Sequence, residues 1–259
     1  PDDSGNGFDN NGDVLTLSPL LMEKYLSAAE TIVGQAVPKV AKVIRETRAV
    51  GRDFRGPGGR SGEQMNARNP ITVSRTFKVD QADNYRVSIE LEVRGSFDFD
   101  ASRCRVICRI NGEERFVENV EWQERKTLKH EYTLAWNRGD QVISFEIVPL
   151  PAADGTPPLP PDRPSPTNVN VRIASVQVRG PLSEKHWVAP ENHARFFPKG
   201  PAPANPAERD AYAREILQNF ATRAFRRPPE ASRVDELFRM AREAYSRPGT
   251  TFEEGVGRA

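Results

Sequence analysis

Oxygen ligands crowd the start of the chain. Asp2, Ser4, Asn6 and Asp13 stand at positions 1, 3, 5 and 12 of a twelve-residue loop, with Gly7 at position 6. That is the spacing by which an EF-hand loop wraps a calcium ion. Asp9, however, occupies the place where an apolar residue should join a paired β-segment, and no helix enters the loop. A hydrogen-bonded turn accounts for the same residues. A second set of carboxylates sits at the ends of apparent strands: Asp80, Asp83, Asp98, Asp100 and Asp140. Carboxylates converging from two strand ends hold calcium together with backbone carbonyls, whereas isolated loop aspartates nucleate turns.

Flat apolar surfaces come next, because the C–H face of a sugar ring stacks on an aromatic ring. Trp122 and Trp136 lie near strand ends and are the candidate ligand-binding residues, with Trp187 further along. Trp136 shares the parity of Leu134 and Tyr132, which argues for packing in the core. The outward stripe Arg103, Arg105, Arg109 reads as cross-strand pairing with Glu90 and Glu92.

No catalytic constellation emerges. His130, His186 and His193 are scattered, and His130 is expected to point inward from a strand. Gly59-Arg60-Ser61-Gly62 is one residue short of a nucleophile elbow. Gly56-Pro57-Gly58-Gly59 follows no strand and opens no helix, so it makes no phosphate cradle. Cys104 and Cys108, four apart in extended chain, are roughly 13 Å from each other, beyond the ~7 Å reach of a disulfide. Their spacing matches neither a redox pair nor a haem attachment site, and burial as small apolar residues is expected.

These residues must be carried by a framework, and its periods are legible. Ser18 caps a helix with Pro19 at its first position; Met22, Tyr25, Leu26, Ala29, Ile32 and Val33 share one face. Val40, Val43 and Ile44 suggest a second, short helix after Pro38. From Ile71 the period changes to two. Tyr85, Val87, Ile89, Leu91 and Val93 alternate with polar residues; so do Cys104–Ile110, Leu128–Trp136, Ile143–Ile147 and Val169–Val178. The parity slips between Ile173 and Val176, as a bulge would make it. Asn111-Gly112 is a hairpin turn signal. Short half-polar strands without helix-length connections predict an antiparallel β-sandwich, jelly-roll-like, and exclude a parallel sheet. The fold class expected is mainly β with flanking helices. Asn205-Pro206 opens a further helix, a second follows Pro228-Pro229, and Thr251 with Glu254 starts a third.

The expected organisation is therefore 1–66, a loop and helices ending a helical domain; 67–182, the sandwich; 183–205, a Pro-rich linker; and 206–259, the opening of another helical domain. The chain has 37 basic and 36 acidic residues, a net charge of +1, which points away from a nucleic-acid or membrane-surface protein. No apolar run approaches the roughly 20 residues of a membrane span. It opens on Pro1 and stops at Ala259 just after a helix start, and it reads as a piece of something longer.

Two stretches carry a family resemblance. Pro1-Asp2-Asp3-Ser4-Gly5, Gly7-Phe8-Asp9-Asn10, Gly12-Asp13-Val14-Leu15 and Leu17-Ser18-Pro19-Leu20-Leu21 resemble the end of a domain of unknown function found in planctomycete-type, cytochrome c-associated proteins. Tyr212-Ala213-Arg214, Phe220-Ala221 and Arg223-Ala224-Phe225-Arg226-Arg227-Pro228 look like the start of another such domain, continued by Phe252-Glu253 and Gly255-Val256. Between them, Phe77-Lys78-Val79, Tyr85-Arg86-Val87, Arg109-Ile110-Asn111-Gly112 and Val176–Leu182 are similar to calcium-dependent, xylan-binding carbohydrate-binding modules.

The resemblance implies a non-catalytic module for a polysaccharide such as xylan, with calcium as its cofactor. It further implies a periplasmic or secreted protein with c-type haem domains elsewhere; no haem motif stands in this sequence. Asn168 and Asn170 occupy the final strand where a carboxylate would be expected. The partners so implied are a polysaccharide and other domains of the same chain. The rival expectation is a scaffold module that packs helical domains together and binds no glycan. An enzyme completed by other parts of the chain ranks third.

Overall fold

The computed structural model describes residues 18–95, 101–151 and 169–259. Asp98, Asp100, Asn168 and the amino-terminal Asp2–Asp13 loop lie outside the described residues. The chain forms two compact units. One is Ile44–Val188, and the other joins residues 18–43 to Ala189–Ala259.

The first unit is the antiparallel sandwich. Its strands among the described residues are β1 (Glu46–Ala49), β2 (Met65–Asn66), β3 (Ile71–Val79), β4 (Asp83–Gly95), β5 (Arg103–Ile110), β6 (Glu113–Val120), β7 (Lys126–Trp136), β8 (Gly139–Leu150) and β9 (Val169–Arg179). One sheet runs β1-β9-β4-β7, with β2 also paired to β9; the other runs β3-β8-β5-β6. Alternation is the cause of this architecture. Val87, Leu91 and Val93 of β4, Val106 of β5, and Ile143, Phe145 and Ile147 of β8 are fully buried between the sheets. Each side chain of this size contributes about 1.5–3 kcal/mol when removed from water.

Local signals fix the details. The parity slip in β9 is a bulge: Glu90 faces Ser175 while Leu91 faces Ile173, leaving Ala174 as the extra residue. Asn111 and Gly112 both take positive φ, 54° and 82°, and close the β5–β6 hairpin. The Asn111 side chain also joins that turn to β8, donating to Gln141 Oε1 at 2.7 Å and accepting from the Val142 N–H at 2.8 Å.

Two expectations are corrected here. Val40, Val43 and Ile44 do not start a helix; the chain goes on to β1, which pairs with β9 from Glu46–Arg179 to Ala49–Val176. Three apolar residues are too few to sustain a helix when a strand edge offers backbone partners. The arginine stripe does not meet Glu90 and Glu92 either, because β5 and β4 belong to different sheets. Arg103 instead pairs with Glu121, Arg105 with Asn119, and Arg109 with Glu146.

The second unit is helical: α1 (Pro19–Ala36), α2 (His193–Phe196), α3 (Pro206–Phe225), α4 (Ala231–Tyr245) and α5 (Phe252–Gly257). Ser18, Asn205 and Thr251 cap α1, α3 and α5 by accepting backbone N–H groups, as their sequence positions predict. Phe197, Tyr212, Leu217, Phe238, Phe252 and Val256 make its core. The apolar stripe of α1 is exposed, and no residue of that helix is buried.

Candidate functional site

One end of the sandwich holds a preformed cleft. The β3–β4 turn, the chain entering β1 and the segment after β9 bound it. Period-two parity explains the lining: on β3, Phe77 and Val79 face inward while Thr76 and Lys78 face out at its mouth. The cleft measures ≈ 270 Å³. Phe77, Tyr85, Val178 and Pro181 form an apolar floor, and Thr47, Thr76, Lys78, Asp80, Gln81 and His186 stand around it.

Hydrogen bonds fasten the parts together. Tyr85 is buried, stacks on Trp136 with centroids 5.3 Å apart, and donates its hydroxyl to Gln81 O at 2.9 Å. Burial raises the Tyr85 phenol above its ordinary range, so it stays protonated. Gly180 donates to Arg45 O at 2.9 Å, and Leu182 donates to Asn84 O at 3.0 Å. Asp83 anchors the same strap: Ser183 Oγ and N donate to it at 2.8 and 3.2 Å, and Asn84 N at 2.7 Å. The Ser183 hydroxyl foremost, against the opposing effect of burial, holds the Asp83 carboxyl below the usual range. A carboxyl so held is an anion and a poor proton donor.

The charged groups at the mouth are partly committed. Arg45 pairs with Asp80 at 2.9 Å, and Arg75 with Asp53 at 3.0 Å. Lys78 lies opposite Asp140 in the β3–β8 register and has no ion-pair partner among the described residues.

The residues singled out from sequence are dispersed. Trp136 ends β7 inside the core, stacked on Tyr85, and offers no face to a ligand. Trp122 is half-buried against Gly95, where a Cβ would strike its indole. These tryptophans mark opposite ends of the thirteen-residue β4, roughly 40 Å apart at strand rise, and form no common platform. Trp187 donates its indole N–H to Leu182 O at 3.0 Å. His130 does face inward but stays partly exposed at the sandwich edge, flat on Phe116 with centroids 3.8 Å apart.

The calcium carboxylates do not converge. Asp80 is turned to Arg45, Asp83 to Ser183 and Asn84, and Asp140 lies exposed at the start of β8. No group of three or more His, Cys, Asp or Glu could hold a metal ion among the described residues. Asp80 and Asp83 are thus committed to partners within the protein, while Asp98 and Asp100 lie outside the described residues. Of the residues lining this cleft, the sequence alone did not single out Arg45, Thr47, Lys78 or Gln81, and it set His186 aside as one of three scattered histidines. The Asp80–Asp83 turn beside Gly180-Pro181 was the available signal, but it needed the β4–β9 pairing to bring its halves together.

Comparisons with known proteins bear on the ends and on the fold. Residues 1–38 match a family model described as "PSD3: Protein of unknown function (DUF1587)". Residues 212–259 match "PSD5: Protein of unknown function (DUF1595)". No curated protein matches. Among solved structures, the sandwich is similar to the CBM36-1 domain of a multidomain xylanase from the hindgut metagenome of Trinervitermes trinervoides. The two are 16% identical, with 54% of this chain and 100% of that one covered and a TM-score of 0.31. It is also similar to carbohydrate-binding module CBM36 in complex with calcium and xylotriose (15%, 51% and 98%, 0.30). A chain from the infectious bursal disease virus Gx strain is similar too (10%, 54% and 33%, 0.34). The ligands so named belong to those proteins.

Proposed function

We propose that the sandwich unit is a non-catalytic module that holds a polysaccharide in the cleft between the β3–β4 turn and the strap after β9. The observation that carries this reading is the pairing of an apolar floor with a ring of hydrogen-bonding side chains in a preformed concavity. A sugar ring presents the same duality, with C–H faces and hydroxyl edges. At ≈ 270 Å³ the cleft lies at the small end of ligand sites, which suits a short stretch of a chain. Binding fits better than chemistry: Asp83 is held as an anion by Ser183, and Asp80 faces Arg45.

The resemblance of the flanking segments supports reading this module as part of a larger extracytoplasmic, cytochrome c-associated protein. The resemblance of the sandwich makes xylan the first glycan to try. The rival reading, a scaffold that binds no glycan, draws on the burial of Trp136.

Calorimetric titration of the 259-residue chain with xylan and xylo-oligosaccharides separates the two. Heat is expected from the native chain, with affinity reduced at least about tenfold in Lys78→Ala/Gln81→Ala, as loss of two polar ligand contacts implies. Silence with every glycan tried would leave the scaffold reading standing.

A further inference from the structure

Away from the cleft, three guanidinium groups surround one carboxylate. Glu92 projects from β4 onto the outer face of its sheet, yet its side chain is only 4% exposed. Arg94 Nη2 and Arg125 Nε approach its Oε1 at 2.9 and 2.6 Å, and Arg172 Nη2 approaches Oε2 at 2.8 Å. Arg172 is brought there by register, facing Glu92 across the β4–β9 pairing, while Arg125 comes from the chain just before β7.

The charges do not balance. Among the described residues, three cations against one anion leave +2 at the cluster. The neighbouring pairs on this face are one to one: Lys129 with Glu90, and Arg86 with Glu131. The three arginines have no further ion pair or hydrogen bond among the described residues. Each guanidinium carries five donors in a rigid fork, and Glu92 engages one nitrogen of each. The side chains stay 51%, 68% and 45% exposed for Arg94, Arg125 and Arg172. Among the described residues, therefore, the remaining donors have no protein partner and surround a fixed centre. Like charges gathered on one counter-charge repel each other, and a second anion relieves that repulsion. Planar forks of this kind bind sulfate, phosphate and carboxylate oxygens in pairs.

We propose that Arg94, Arg125 and Arg172 form an anion site, separate from the cleft, that takes the sulfate or carboxylate groups of an acidic polysaccharide. The cluster is a spot flanked by neutral pairs on a chain of net charge +1, not a basic stripe tracking a phosphodiester backbone. That favours a spaced polyanion over nucleic acid. The choice of a polysaccharide as carrier rests on the saccharide reading of this unit; the anion site itself does not.

The test uses the native 259-residue chain, Arg125→Ser, Arg172→Gln and a charge-matched control, Arg239→Ser, from the exposed face of α4. Binding of labelled dextran sulfate is followed by fluorescence polarisation near 0.15 M salt, where charges beyond about 8 Å are screened. Thermal unfolding is compared in sodium sulfate and sodium chloride at equal ionic strength. The expected result is about tenfold weaker polymer binding in each arginine variant, as loss of a charge-assisted contact implies, and none in the control. The sulfate-specific rise in Tm should shrink in the same two variants, beyond the general effect of sulfate seen in the control. Arg125, the most exposed of the three, decides the matter should Arg172→Gln fail to fold.

Equal binding by all four proteins overturns the site. A sulfate effect on Tm without polymer binding overturns the polysaccharide and keeps the anion. Duplex DNA bound as tightly, with the same arginine dependence, overturns the choice of partner. Silence with xylan alongside arginine-dependent dextran sulfate binding would sink the cleft reading alone.

Discussion

The α-carbon of Gly180 rests against the ring of Tyr85, so closely that a Cβ there would lie 2.9 Å from Tyr85 Cγ and nearer still to Cδ1. Tyr85 cannot retreat, because Trp136 is stacked on its other side and its hydroxyl is bound to Gln81 O. Gly180→Ala should therefore push the strap outward and widen the cleft floor. The expected cost is about 1–3 kcal/mol, the range for overpacking a filled site, read as a lower midpoint in urea. If the saccharide reading holds, xylan affinity should fall in the same variant although no rim residue has changed. An unchanged midpoint would show that the contact is not a constraint.

Glu92 supplies a pH prediction with a definite sign. Burial pushes its carboxyl up, but the Arg94 guanidinium 2.9 Å away and the charges of Arg125 and Arg172 outweigh burial and hold it below its ordinary range. A depressed carboxyl contributes stability above its unfolded pKa, and that contribution is lost as pH falls through the folded value. Glu92→Gln should lose about 1–3 kcal/mol at pH 7, less than a fully buried pair would, because the three guanidiniums reach water. Below pH 4.5 its deficit against the native chain should narrow steadily. Urea midpoints at pH 7, 5, 4 and 3 give the comparison; a constant deficit would mean Glu92 acts through packing alone.

The two cysteines should be chemically silent in the native protein. Both side chains are fully buried on β5, and burial pushes each thiol up to about 12. Thiolate is the reactive form, so iodoacetamide at pH 8 should label neither residue in the folded chain and both in denaturant. Rapid native labelling would show that β5 opens, which its central place between β6 and β8 argues against.

What the residues disclosed by themselves was the interior. Alternation in β4, β5, β8 and β9 named the buried side chains almost one by one, and the slip after Ile173 located the bulge at Ala174. The reason is physical: period two is written into the chain wherever one strand face is buried. Partnership between strands is not written there. Arg109 finds Glu146 rather than Glu90 because β5 lies beside β8, a pairing that no local pattern states. Likewise Thr47 and Lys78 line one cleft only because β1 and β3 end near the same corner. Trp136 was caught between two local cues, strand-end position and inward parity, and parity won since a stacked Tyr85 was waiting across the strand.

Asp83 yields the last prediction, because it separates a structural carboxylate from a calcium ligand. Its oxygens accept from Ser183 and Asn84, and the Ser183 hydroxyl contributes most to keeping it ionised. Asp83→Asn removes the charge and one accepting oxygen, so the strap carrying His186 should loosen, read as a lower urea midpoint at pH 7. The deficit should start to shrink as pH falls below 3.8, where the unfolded carboxyl takes up a proton, and the contribution is lost as pH falls through the lower folded value. Calcium should not rescue the variant, and calcium against chelator should leave the native Tm unchanged. A calcium site filled at a hundredfold over its Kd would add about 2.7 kcal/mol to stability. A rise of that size in the native chain that survives Asp83→Asn would clear Asp83 and direct the search to Asp98 and Asp100. Its loss in Asp83→Asn would instead make Asp83 a calcium ligand and not a structural carboxylate.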